Sequence, residues 1–239
     1  MIVEKLKGLP SKLRRVTSGG RVIHEVDGLR FLAIFPVVIQ HLSERMERNA
    51  EISFVQGFEY DISSFIASRG FIGVYIFFVI SGFILALPFA SQALNNTKPI
   101  NLKSYYIRRL TRLEPPYIVI MTLFFVILAF SKFSFGELWG NYLASITYTH
   151  NLIFQKWSIM NPPAWTLEVE VQFYIIAPFL AITIFKISEV IKRRVVIGLC
   201  IIGILVLQDF MGWAHHPYNM TLLGHLHYFF IGFLLTDIF

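Results

Sequence analysis

Arg30 and His41 stand eleven residues apart, at either end of the apolar stretch FLAIFPVVIQ. On an α-helix that separation is about three turns, roughly 16 Å of rise, and it returns both side chains to nearly one face. Ionisable groups are costly in hydrocarbon, so such a pair is expected to face the protein interior or a wet cavity. Imidazole titrates near neutrality and can take a proton from a hydroxyl. Asp27, three residues before Arg30, is placed to pair with it.

Three further blocks carry polar residues into apolar surroundings. In NPPAWTLEVEVQFYIIAPF (161–179), Glu168 and Gln172 share a helix face, as do Glu170 and Tyr174. Two carboxylates at the mouth of a span are costly unless partnered: either both stand in outer-side water, or one of them orients His41 across the bundle. YYIRRLTRLEPPY (105–117) holds Arg108, Arg109 and Arg112, the first and last one turn apart. Fork-shaped guanidinium groups suit a phosphorylated cofactor, although such a cluster also serves as an ordinary orientation signal. GFIGVYIFFVISGFILALPF (70–89) carries Gly70, Gly73, Ser81 and Gly82, which read as close helix packing. No metal site is expected: His215, His216, His225 and His227 lack further ligands at site-like spacing and read as interfacial or packed. Cys200 is the single cysteine, which excludes an intrachain disulfide and a cysteine-based metal site.

The elements that position these groups belong to a membrane protein. The 239 residues are 55% hydrophobic and 15% charged, with mean hydropathy +0.61, against about 25% charged in soluble domains. The net charge of +6 lies mostly in short connections between apolar runs, which argues for membrane orientation and against nucleic-acid binding. Spanning helices are predicted at 28–46, 70–90, 114–132, 164–186, 195–211 and 222–239. The resulting fold is an all-α, multi-pass integral membrane bundle of about six spans. A seventh segment, 138–155, is diluted by Asn141, Thr147, Thr149, His150 and Asn151, and is expected to be re-entrant or interfacial. Residues 1–27 form a basic cytoplasmic or interfacial leader and 28–239 the membrane domain. Basic residues before the first span are expected to place the amino terminus in the cytoplasm, and the plasma (inner) membrane is the expected location. The last apolar run reaches Phe239 without a basic stop, so a carboxy-terminal truncation is expected. On residues alone, an enzyme with a histidine base and a proton-coupled carrier using Arg30, His41 and Glu170 as an ion path both stay open, with a catalytically inactive membrane module as a third reading.

Taken in order, DGLRFLAIFPVVIQH, FFVISGF, YYIRRLTRLEPPY and WTLEVEVQFY resemble acyltransferase family three, multi-pass membrane enzymes that O-acylate carbohydrates and other hydroxyl compounds. The resemblance implies that His41 is the essential histidine and Arg30 the arginine before it. It places Arg108, Arg109 and Arg112 on the cytoplasmic basic motif, as binders of the acyl-CoA donor. Glu170 falls on the first glutamate of the family's W-S-L-S-V-E-E-Q-F-Y pattern. Val171 replaces the second, and Glu168 stands where the family has serine, so the working carboxylate is Glu170 or Glu168. The implied reaction moves an acyl group, most simply acetyl, from acyl-CoA to a carbohydrate or glycolipid hydroxyl in the cell envelope. The implied partners are that donor, that acceptor and the lipid bilayer.

Overall fold

The computed structural model describes residues 24–49, 68–95, 97, 99–130 and 133–239. The described residues form eight α-helices: α1 (His24–Asn49), α2 (Ile72–Asn95), α3 (Leu102–Ala129), α4 (Phe135–Ile146), α5 (His150–Phe154), α6 (Trp165–Phe185), α7 (Val190–Phe210) and α8 (Leu226–Ile238). Among the described residues there is no strand, and the all-α reading holds. The expected leader lies outside the described residues, apart from 24–27, which form the first turn of α1.

Four helices among the described residues are long and apolar enough to cross a membrane: α1, α2, α3 and the stretch Pro162–Phe185 that contains α6. The other two expected spans are helical but differ in kind. α7 has 21 residues and carries Lys192, Arg193 and Arg194 in its first turn and a half, whereas α8 has 13 residues. The 138–155 segment folds as α4 and the five-residue α5. α4, at 12 residues, rises about 18 Å, short of the hydrocarbon thickness. Tyr148, at φ 58°, turns the chain between them.

Local signals explain where several helices start. Asn101 caps α3 by accepting from the Ser104 N–H, and Ser134 caps α4 by accepting from the Glu137 N–H. The core lies between α2, α6 and α8, where Phe78, Phe173, Phe229 and Phe233 are fully buried. The Phe173 and Phe229 rings stack 3.9 Å apart. Gly82 and Gly232 let backbones touch there: a Cβ on either would sit 2.3 Å from a carbonyl oxygen of the facing helix.

α1 is seated on α2 in the same way. A Cβ at Gly70 would lie 2.2 Å from the Pro36 carbonyl oxygen, and one at Gly73 would lie 1.9 Å from that of Ala33. The two helices run antiparallel, so the head of α2 meets the part of α1 that carries Gln40 and His41. The heads of α6 and α8 lie at that same end, where the Phe78 ring meets Trp165 and His225. At the opposite end, the side chain of Asp237 of α8 is fully buried and pairs with both Arg193 and Arg194 of α7. Phe31, Leu32, Phe35, Val38 and Leu42 of α1 are exposed, as lipid-facing side chains are.

Candidate active site

His41 is about half exposed, and its Nδ1 lies 3.1 Å from Glu44 Oε2. Glu44 Oε1 accepts a 2.8 Å hydrogen bond from the Gln40 amide. The Gln40 carbonyl oxygen in turn accepts from the Phe71 N–H at the head of α2, at 2.6 Å. The first two contacts follow from helical spacing alone. The third ties them to a second helix, so the ring's orientation depends on how α1 sits on α2. A carboxylate facing Nδ1 holds the proton on that nitrogen and leaves the Nε2 lone pair free. An imidazole held this way can accept a hydroxyl proton.

Arg30 lies three turns earlier on the same helix, its side chain mostly covered, with Nη1 3.5 Å from Asp27 Oδ1. The expected Asp27 contact is therefore present, at the long end of the hydrogen-bond range.

Neither acidic residue of α6 meets His41, which corrects the expected pairing. Glu170 is buried and accepts hydrogen bonds from Ser81 Oγ of α2, at 2.6 Å, and from the Tyr174 hydroxyl. Glu168 is 1% exposed and accepts from both the backbone N–H and the side-chain amide of Asn151, each at 3.0 Å. The reason is the layering. α6 buries its carboxylates against α2 and the α4–α5 segment, whereas α1 rests on α2 at Gly70 and Gly73. The carboxylate that meets the ring is Glu44, on the histidine's own helix.

The arginine cluster also divides. Arg108 and Arg112 are exposed, one turn apart, while Arg109 is half-buried. The Arg109 guanidinium stands 5.8 Å from the ring centroids of both Tyr105 and Tyr174, a cation–π position. It therefore belongs to the Glu170–Tyr174 network and not to an outward-facing basic patch. Pro178 explains why the tyrosines gather here. It has no N–H for the carbonyl of Tyr174, four residues back. The Tyr105 hydroxyl donates to that carbonyl at 3.4 Å, and the Tyr106 hydroxyl donates to the next, that of Ile175, at 2.9 Å.

His150, at the head of α5, is fully buried and contacts Asn141 Oδ1 through Nε2 at 2.7 Å. Burial pushes its imidazole below the ordinary range. Its Nδ1 has no hydrogen-bond partner, so this ring is held neutral. Among the described residues, no three His, Cys, Asp or Glu side chains are grouped to hold a metal.

A family model described as an acyltransferase domain matches residues 23–239. The chain belongs to that family. Among its relatives, the peptidoglycan O-acetyltransferase OatA of Listeria monocytogenes is 30% identical over 201 residues, covering 78% of this chain and 29% of the relative. A Staphylococcus aureus (strain COL) protein named as a putative O-acetyltransferase is 29% identical over 198 residues, covering 79% of this chain and 29% of the relative. The chain spans less than a third of the length of these relatives. No solved structure matches it.

Sequence reasoning passed over Glu44, although a carboxylate three residues after a histidine is a legible signal. It treated Ser81 as packing alone, and the Asn151 contact of Glu168 depends on a turn that no spacing rule discloses.

Proposed function

We propose that this acyltransferase domain moves an acetyl group from acetyl-CoA to a hydroxyl of a carbohydrate, in a surface glycan or glycolipid. The observation that carries the reading is the Gln40–Glu44–His41 chain, anchored on α2, which leaves Nε2 of a half-exposed imidazole free. His41 takes the hydroxyl proton as the oxygen attacks the thioester carbonyl carbon. The carbon–sulfur bond breaks, and the imidazolium returns the proton to the departing CoA sulfur. Glu44 fixes the Nδ1–H tautomer of the neutral ring and faces the imidazolium once it forms.

Arg108 and Arg112 attract the anionic donor at the α3-head end of the bundle, away from His41, and Arg30, beside the first turns of α2, lies on the donor's way to His41. That end faces the cytoplasm of a plasma-membrane protein whose amino terminus is inside. Phosphates held near Arg30 leave about 16 Å to His41 along α1, a gap for the donor's extended acyl-bearing arm to cross. Glu170, Tyr174 and Arg109 lock α2, α3 and α6 together and keep this passage in shape. The name of the Listeria relative supports a cell-wall glycan as acceptor.

The test is incubation of membranes carrying the protein with acetyl-labelled acetyl-CoA and purified cell-wall glycan. Ester-linked label in the glycan, with one CoA thiol released per acetyl, is expected. Intact acetyl-CoA accompanied by protein-dependent solute or proton flux would replace this reading with a carrier.

A further inference from the structure

A cavity of about 390 Å³ opens at the end of the bundle that carries His41, between the heads of α2, α6 and α8 and the tail of α7. It is not part of the His41 network, yet it shares the first turns of α2 with it. The Phe71 N–H holds Gln40, and the Phe71 ring contacts Tyr75 at 5.7 Å, which lines the cavity.

Four aromatic side chains form its walls: Tyr75, Trp157, Trp165 and Tyr228. Tyr75 and Tyr228 stack at 4.5 Å, and Trp157 meets Trp165 edge to face at 6.4 Å. Trp157 is 52% exposed, a large indole left standing at the opening. Rings of this kind offer flat apolar faces to a ligand whose own faces are apolar and whose edges are polar.

Three polar atoms of the lining residues lack partners. His225 is 5% exposed, and its Nε2 lies 2.7 Å from the Asn219 backbone carbonyl oxygen. A carbonyl only accepts, so Nε2 carries the proton and Nδ1 is left as a lone-pair acceptor. That Nδ1 is buried with no hydrogen bond, and so are Asn219 Oδ1 and His227 Nδ1. Buried polar atoms without partners are few in folded proteins, and a ligand is one reason for them. Asn219 Oδ1 and His225 Nδ1 are both acceptors, which calls for a ligand that brings hydroxyl donors. Asp209 adds a carboxylate to the lining, and among the described residues the lining has no lysine or arginine. An anionic donor such as CoA does not fit that charge; a neutral polyhydroxyl compound does.

We propose that this cavity is the acceptor subsite. It holds one ring of a neutral sugar against Trp157 and Trp165, with sugar hydroxyls donating to Asn219 Oδ1 and His225 Nδ1. The proposal rests on the acetyl-transfer reading above, since it seats the acceptor of that reaction beside the helix that anchors His41. It adds the acceptor's place and the residues that select it.

The experiment is titration calorimetry of the detergent-purified full protein with a tetramer of N-acetylglucosamine and, separately, with acetyl-CoA. The variants are Trp157→Ala, which removes an exposed ring, and Asn219→Ala, which keeps the backbone carbonyl that His225 uses. Saturable sugar binding that weakens at least tenfold in both variants, with acetyl-CoA binding unchanged, is expected. Sugar binding equal to wild type in both variants would overturn the subsite, as would no binding of the tetramer or of purified cell-wall fragments by the wild-type protein. Failure of the transfer assay, with sugar binding still lost in the two variants, would sink the enzymatic reading and leave the sugar site standing.

Discussion

Replacing Gly73 with alanine should disable the His41 network without touching any member of it. The added Cβ would lie 1.9 Å from the Ala33 carbonyl oxygen and 2.9 Å from Val37 Cγ2. The nearest atom is backbone, so no side-chain rotation relieves the clash. Helix α1 must back away by about 1.5 Å to reach ordinary contact. The link from Gln40 Oε1 to the Phe71 N–H is 2.6 Å long. A shift of that size takes it beyond hydrogen-bonding distance. Glu44 and His41 then lose their anchor on α2. Overpacking of this kind costs about 1–3 kcal/mol of stability, and misplacing a reacting group by about 1 Å costs on the order of 100-fold in rate. The assay is acetyl transfer to glycan by membranes holding equal amounts of protein, with Gly28→Ala and Gly198→Ala as controls, because a Cβ at either meets nothing within 4 Å. A roughly 100-fold loss in Gly73→Ala against unchanged controls is expected. Transfer within about threefold of wild type would refute the dependence of the site on the α1–α2 seat.

Three further outcomes follow from the same geometry. Arg108→Ala should raise KM for acetyl-CoA and weaken its salt dependence while leaving the melting temperature alone; Arg109→Ala should instead lower thermal stability, by about 0.5–1 kcal/mol for its stacking on Tyr105 and Tyr174, and detergent melting curves with donor kinetics separate the two. Asp237→Ala leaves the buried guanidinium of Arg193 uncompensated, which should cost about 3–5 kcal/mol and be read as a large drop in melting temperature. His150 is neutral in the folded protein because burial lowers its proton affinity, so its contribution is complete above the unfolded value of about 6.5 and declines as pH falls from there toward the folded value; melting temperature measured from pH 8 to 5 should fall on the acid side, and less steeply in His150→Gln.

The helical layout was largely legible because a spanning helix announces itself through length and apolar content, and the start of each basic or capped segment follows local rules. Arg30 and His41 could be read for the same reason: one helix carries both, and eleven residues is a helical distance. Tertiary partners were not legible. Glu170 meets Ser81 across 89 positions, and Glu168 meets Asn151 only because the chain turns at Tyr148. Arg109 was indistinguishable from Arg108 in composition, and the helical phase set by α6 turns one inward and leaves the other exposed. His225 passed for a packed histidine because what distinguishes it is an unpartnered nitrogen. Glu44 was legible, because a carboxylate three residues after a histidine shares its helix face.

The most direct trial of the whole account is the rate of acetyl transfer by His41→Ala, measured in membranes with matched protein and confirmed acetyl-CoA binding. Transfer at the level of protein-free membranes is the predicted result; turnover at the wild-type rate would mean that the proton is taken elsewhere.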